Sequence, residues 1–320
     1  MPDLRLRESE RARDKITKEQ ERMISDLYSD AVEDMNSWEK FLEGKDNISS
    51  VLRRQYIKDM KKDLMKEMEN IGKKTEPIIL KNLSSVSTAV VDDANRLLRQ
   101  MGIHIGYAYS YVPADVVYAI RTGQLYDSNW KLSKAIWRST NKATDDINRI
   151  ISIGVAENKS SYEIAKDLET YVNPKARKPW DWGKIYPGSS KQVDYNAQRL
   201  ARTLVSHAYQ QSFVRTTKDN PFFIGYKWLT SNHTGVCVVC EEYATMKHAE
   251  GLPPGVFPKD KLPLDHPNGR CTFSIYMIES MEEIADHLAD WALGEENSEI
   301  DKYARTLGYE PNVFKEHISL

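Results

Sequence analysis

The chain has 320 residues, enough for about two domains, with 45 Lys and Arg against 47 Asp and Glu, a formal net charge of −2. A balance so close to zero gives no global drive toward nucleic acid, and no apolar run approaches the ~18 residues that a membrane-spanning helix needs. The opening Met1-Pro2-Asp3-Leu4-Arg5 lacks an apolar core, so a secretory leader is not expected. Charge is nevertheless uneven. Between Lys131 and Lys218 basic residues outnumber acidic ones about two to one, and the stretch after Glu241 is acidic.

The first hundred residues read as charged helices. From Arg5 to Phe41, Ile16, Met23, Leu27 and Ala31 recur at helical spacing, and Gly44 to Ser49 breaks the pattern. A second helix is predicted from about Ser50 to Ile71 on a Leu52, Tyr56, Met60, Leu64, Met68 stripe. Pro77 separates it from a third, Ile78 to Met101, which Gly102 is placed to end. Residues 102–131 are rich in tyrosine and read as turn-bearing chain. Another helix is predicted from Leu132 to about Ile153. The Ser160-x-x-Glu163 capping box opens a further one that ends near Tyr171.

Asn173 to Ser190 carries three prolines among Trp180, Trp182 and Tyr186, and reads as a linker. Its Lys175, Arg177, Lys178 and Lys184, with Arg199 beyond it, are the candidate contacts for nucleic-acid phosphates. An amphipathic helix follows, from Gln192 to about Thr217. Arg202 lies among its apolar residues and is expected to form a structural salt bridge or to bond strand-end carbonyls. Strands are predicted at Phe222–Leu229 and Thr272–Met277, and helices at Glu279–Leu293 and Ser298–Leu307. The remaining tail is polar. His104, His207, His287 and His317 read as structural or surface residues.

All three cysteines fall in one window. Cys237 and Cys240 form C-x2-C, and Asp265-His266-Pro267-Asn268-Gly269-Arg270-Cys271 supplies H-x4-C. Three soft thiolates and one borderline imidazole make a closed tetrahedral set for a structural Zn2+. The intervening loop is rich in Gly and Pro and is predicted to have almost no regular structure, so a metal clip would order it. A Cys237–Cys240 disulfide is the rival reading. With all four positions filled by protein, no place is left for a reactive water, and no catalytic set is evident.

The second half resembles the Mu protein F-like family of minor head proteins of tailed phages. The resemblance is carried by Leu200-Ala201-Arg202-Thr203 on a helix, Lys227-Trp228-Leu229-Thr230 ending a strand, Val236-Cys237-Val238-Val239-Cys240-Glu241, and the closing Asp265–Cys271 segment. It covers about Asp194 to Met277. Upstream, Gly123-Gln124-Leu125-Tyr126, Trp130-Lys131-Leu132-Ser133 and Ile136-Trp137 resemble the helical region of Gram-positive siphophage members. The chain departs from the family pattern at Gly269, where a cysteine is common, and at Leu204, where a glutamate is. Ser231-Asn232-His233 stands where an aspartate often precedes the first cysteine.

The resemblance implies a non-enzymatic component of the virion, inside the head, present in the host cytoplasm during assembly. It would associate with the portal protein and the major capsid or scaffolding protein, act in head morphogenesis, and contact phage DNA non-specifically during packaging or ejection. The expected fold is α+β, mainly α. A helical region at 1–172 serves portal and capsid association, and 173–191 is the linker. Residues 192–280 form a small zinc-clipped domain, and 281–320 an acidic helical tail. Two alternatives stand beside this reading. One is a zinc-containing His-Asn-His-type nuclease, in which His266 activates water and His233 or His248 replaces it on the metal. The other is a non-specific DNA-binding zinc module.

Overall fold

The computed structural model describes residues 4–30, 32–45, 48–104, 108–126, 130–173, 184, 186–189, 192–230 and 236–318. The architecture is α+β and mainly α, with a three-stranded antiparallel sheet in the C-terminal third. Compactness groups the chain into two units that interleave in sequence. One comprises Met1–Ile16, Asn82–Ala119 and Thr203–Leu320; the other comprises Thr17–Lys81 and Ile120–Arg202.

Helix α1 (Arg7–Asp30) and α2 (Val32–Leu42) precede α3, which runs without interruption from Ser50 to Gln100. The break expected at Pro77 does not occur. Proline at 77 removes the amide that would bond the Lys73 carbonyl. Both Lys73 and Pro77 lie on the exposed side of the helix, while Ile71, Ile79 and Leu83 are buried, so the proline interrupts no packed face. Gly102 ends α3 as predicted. Its φ of 80° allows the Ile103 amide to bond the Leu98 carbonyl at 2.9 Å, a Schellman closure. A short helix not expected from sequence, α4 (Val112–Thr122), follows in the tyrosine-rich stretch.

In the unit of residues 17–81 and 120–202, α5 (Leu132–Ala156) packs on α6 (Ser161–Val172), which also packs on α2. The predicted capping box is present: the Ser160 hydroxyl accepts from the Glu163 amide, and the Glu163 carboxylate from the Ser160 amide. Asp146, fully buried on α5, accepts from Lys142 Nζ at 2.9 Å and from the Tyr171 hydroxyl at 2.8 Å. Arg202 forms the structural ion pair, donating to Glu21 Oε1 at 2.6 Å.

The other unit holds the sheet. Helix α7 (Tyr195–Thr217) leads into β1 (Gly225–Leu229), and then come α8 (Val238–Thr245), β2 (Val256–Pro258) and β3 (Thr272–Tyr276). Strand order is β2-β1-β3, with Leu229 opposite Thr272 and Tyr226 opposite Phe257 and Ile275. Trp228, Phe273, Phe213 and Tyr226 form its aromatic core, with Trp228 and Phe273 centroids 5.1 Å apart. Leu4 bridges β3 at Ile275, and Arg5 donates to Thr272 Oγ1, so the N-terminal residues complete this sheet edge. Helices α9 (Met281–Leu293), α10 (Ser298–Thr306) and α11 (Pro311–Lys315) close the chain. The tail is anchored: Phe314 is fully buried and Ile318 bridges Ile103.

Candidate metal centre

The segment between the two ligand pairs is more ordered than its glycines and prolines imply. It contains α8 and β2, and Cys237 is the N-cap of α8, its sulfur accepting from the Cys240 amide at 3.4 Å. An amide aimed at a thiolate from a helix N-terminus stabilises negative charge on sulfur. Cys271 sits at the head of β3, directly after the turn that carries His266.

That turn is built by its sequence. The Gly269 amide bonds the His266 carbonyl at 2.8 Å, and Asn268 has φ of 70°. Pro267 and Asn268 thus hold the central positions of a type II turn, which favours proline first and a residue tolerant of positive φ second. His266 Nδ1 lies 3.1 Å from the Pro267 carbonyl. Donation from Nδ1 leaves the Nε2 lone pair for a metal.

The structure brings the predicted residues together in two overlapping triads. Donor atoms of Cys237, Cys240 and His266 lie within 4.8 Å of one another, and so do those of Cys240, Asp265 and Cys271. Cys240 belongs to both. Its sulfur is 3.4 Å from that of Cys271, and none of the three cysteines is in a disulfide. Two thiolates about 2.3 Å from one tetrahedral ion lie roughly 3.8 Å apart, so the pair is near the spacing a shared metal demands. Burial raises the Cys240 thiol well above its ordinary range, with the Cys271 and Cys237 sulfurs adding to the effect. A cation among the three sulfurs would reverse that penalty. Cys240 and Cys271 are buried, Cys237 is half-buried, and the His266 side chain is 41% exposed. The cluster can hold a metal ion.

Asp265 was not singled out in sequence. Its side chain is fully buried and accepts from the His266 amide at 2.9 Å, the Cys271 amide at 3.3 Å and the Ser206 hydroxyl at 3.3 Å. Burial nevertheless raises its carboxyl above the usual range, partly countered by His266 and by those amides. A polar row on α7 fixes the same loop. Asn268 N donates to Thr203 Oγ1, His207 Nε2 lies 2.9 Å from the Asp265 carbonyl, and Gln210 accepts from the Asp265 amide. Arg13, 6% exposed, donates to the Cys271 carbonyl at 3.0 Å and lies over the Tyr209 ring. The spacing of Thr203, Ser206, His207 and Gln210 along one helical face is the signal that could have found this row.

Other predicted residues lie apart from the cluster. His248 stacks on Phe257 at 3.6 Å, and its Nε2 meets the Tyr243 carbonyl, so it belongs to neither triad. His233 is outside the described residues, as are Lys175, Arg177 and Lys178. Lys184 and Arg199 are exposed.

Fold and site together define a mainly helical α+β protein with a candidate Cys/His metal centre beside a small antiparallel sheet. No protein-family model matches the chain, and searches of curated proteins and of solved structures returned no significant match. No helix among the described residues is long and apolar enough to cross a membrane.

Proposed function

We propose that this chain is a minor head protein of a tailed bacteriophage that acts without catalysis. It assembles with the portal and with capsid or scaffolding subunits inside the head, and contacts phage DNA through non-specific phosphate interactions. A structural Zn2+ held by Cys237, Cys240, His266 and Cys271 fixes the loop between β1 and β3. The observation that carries this reading is the convergence of the C-x2-C and H-x4-C segments, the motif on which the family resemblance rests, with Cys240 and Cys271 sulfurs 3.4 Å apart. The mainly helical fold supports it as well. Four protein donors leave no open position for substrate, which favours a structural ion over a catalytic one. The test is quantitative mass spectrometry of purified phage particles and empty procapsids from the source that encodes the chain. A few copies per particle are expected. Absence from both would overturn the virion role.

A further inference from the structure

The outer face of α5, in the unit of residues 17–81 and 120–202, carries a row of cations beside an exposed indole. Lys131, Lys134, Arg138 and Lys142 recur at helical spacing, so they line one side of the helix over about 16 Å. Lys131, Lys134 and Arg138 are exposed, and none of these three side chains bonds or pairs with another described residue. Like charges four residues apart on a helix repel, and a polyanion laid along the row would relieve that repulsion. Lys142 is paired with the buried Asp146 at 2.9 Å, which leaves Asp145 as the exposed acid between Lys131 and Arg149. Helix α3 passes this face at Gly72, where a Cβ would meet Thr140 Cγ2 at 3.3 Å. Its acids on either side of that approach are already taken, Glu69 by Lys73 at 2.8 Å and Glu76 by Arg121 at 3.8 Å. Ile136 is buried, but Trp137 is 60% exposed and makes no ring, hydrogen-bond or ionic contact with the described residues. Lys134 lies three residues before it and Asn141 four after, so both flank the indole. Trp130, by contrast, packs edge-on against Tyr126, with centroids 4.8 Å apart.

We infer that this face of α5 binds single-stranded nucleic acid, with a base stacked on Trp137 and phosphates held by Lys131, Lys134 and Arg138. Every base has a π-face, so an indole among cations accepts a strand without reading its sequence. The unpaired positive charge is what selects a polyanion as occupant over an apolar protein surface. A duplex keeps its base faces stacked inside, so the indole favours an unpaired strand. The inference rests on the nucleic-acid contact proposed above and on no other part of that reading. It gives the contact a place apart from Lys184 and Arg199.

The test is fluorescence anisotropy of a labelled thymidine oligonucleotide of about twenty nucleotides, and of a duplex of the same length, titrated with the full chain over a range of salt. The single strand should bind more tightly than the duplex. Trp137→Ala should weaken single-strand binding about fivefold or more and leave the salt dependence unchanged, because stacking releases no counterions. Lys134→Gln and Arg138→Gln should each weaken binding and lower the slope of log affinity against log salt by roughly 0.7. Opposite effects on that slope are a readout that misfolding cannot imitate, and thermal melts of each variant check the fold. Single-strand binding that all three variants retain, but that Lys184→Gln or Arg199→Gln loses, overturns this surface and leaves the nucleic-acid contact standing elsewhere. No binding of either probe by the parent overturns both. Equal binding of strand and duplex, unaltered by Trp137→Ala, overturns the stacking. A parent that self-associates through Trp137, with nucleic-acid binding unchanged in Trp137→Ala, assigns the face to a second copy and overturns the inference.

Discussion

The carboxylate of Asp265 occupies the space in which a side chain at Gly269 would begin. A Cβ built on Gly269 would lie 2.2 Å from the carboxyl carbon and from both of its oxygens. Asp265 is a buried acceptor for the amides of His266 and Cys271, so glycine at 269 is what lets that carboxylate hold both segments of the turn. Gly269→Ala should therefore displace Asp265 and destabilise the fold by about 2–4 kcal/mol. Thermal melting checks this. Combining it with Asp265→Gly should cost less than the sum of the two single changes, because the clash disappears with the carboxylate.

Cys240 is common to both donor triads, whereas Cys237 belongs to one. Cys240→Ser should lower metal content and melting temperature together, and by more than Cys237→Ser does. Elemental analysis of the two variants beside their melting curves makes the comparison. Equal losses would mean that the two cysteines contribute alike.

Arg13 lies far from the metal-ligand motif in sequence but holds the Cys271 carbonyl from a nearly fully buried position. Arg13→Met keeps much of the contact with Tyr209 while removing the charged donor. It should cost about 1.5–3 kcal/mol and increase hydrogen exchange at the amides of 271–276. Unchanged exchange there would remove Arg13 from the support of the site.

His207 is held below its ordinary pKa, chiefly by burial, with its contact to the Asp265 carbonyl opposing the shift. A histidine with a depressed folded-state pKa contributes stability that is present above its unfolded pKa of about 6.5 and lost as pH falls below it, because the unfolded chain takes up the proton more readily. Denaturant unfolding from pH 7.5 to 5 should thus show stability falling with acid. His207→Gln should flatten that slope while lowering stability at neutral pH. An unaltered slope would assign the acid sensitivity to other groups.

Much of this arrangement was legible because local chemistry dictated it. The Ser160 capping box, the closure at Gly102 and the strand beginning at Thr272 each depend on a few adjacent residues. The cysteine and histidine spacing announced a cluster for the same reason. What stayed hidden rests on distant partners. Pro77 is expected to break α3, but it lies on the exposed side of a helix held by the burial of Ile71, Ile79 and Leu83. Helix α8 and strand β2 form inside a loop of glycines and prolines because β2 pairs with β1, and no periodicity in so short a segment signals that. Asp265 and Arg13 were overlooked as site residues because their roles are set by Gly269 and Cys271 in space. Sequence order suggested consecutive domains, whereas compactness groups residues 1–16 with 82–119 and 203–320.

The most direct measurement is native mass spectrometry of the full-length protein purified without chelator, beside Cys240→Ser. One zinc ion per chain in the parent and none in the variant is the predicted result. A parent chain that stays metal-free when folded in excess zinc, or a zinc that survives Cys240→Ser unchanged, would contradict the assignment of Cys237, Cys240, His266 and Cys271 as its ligands.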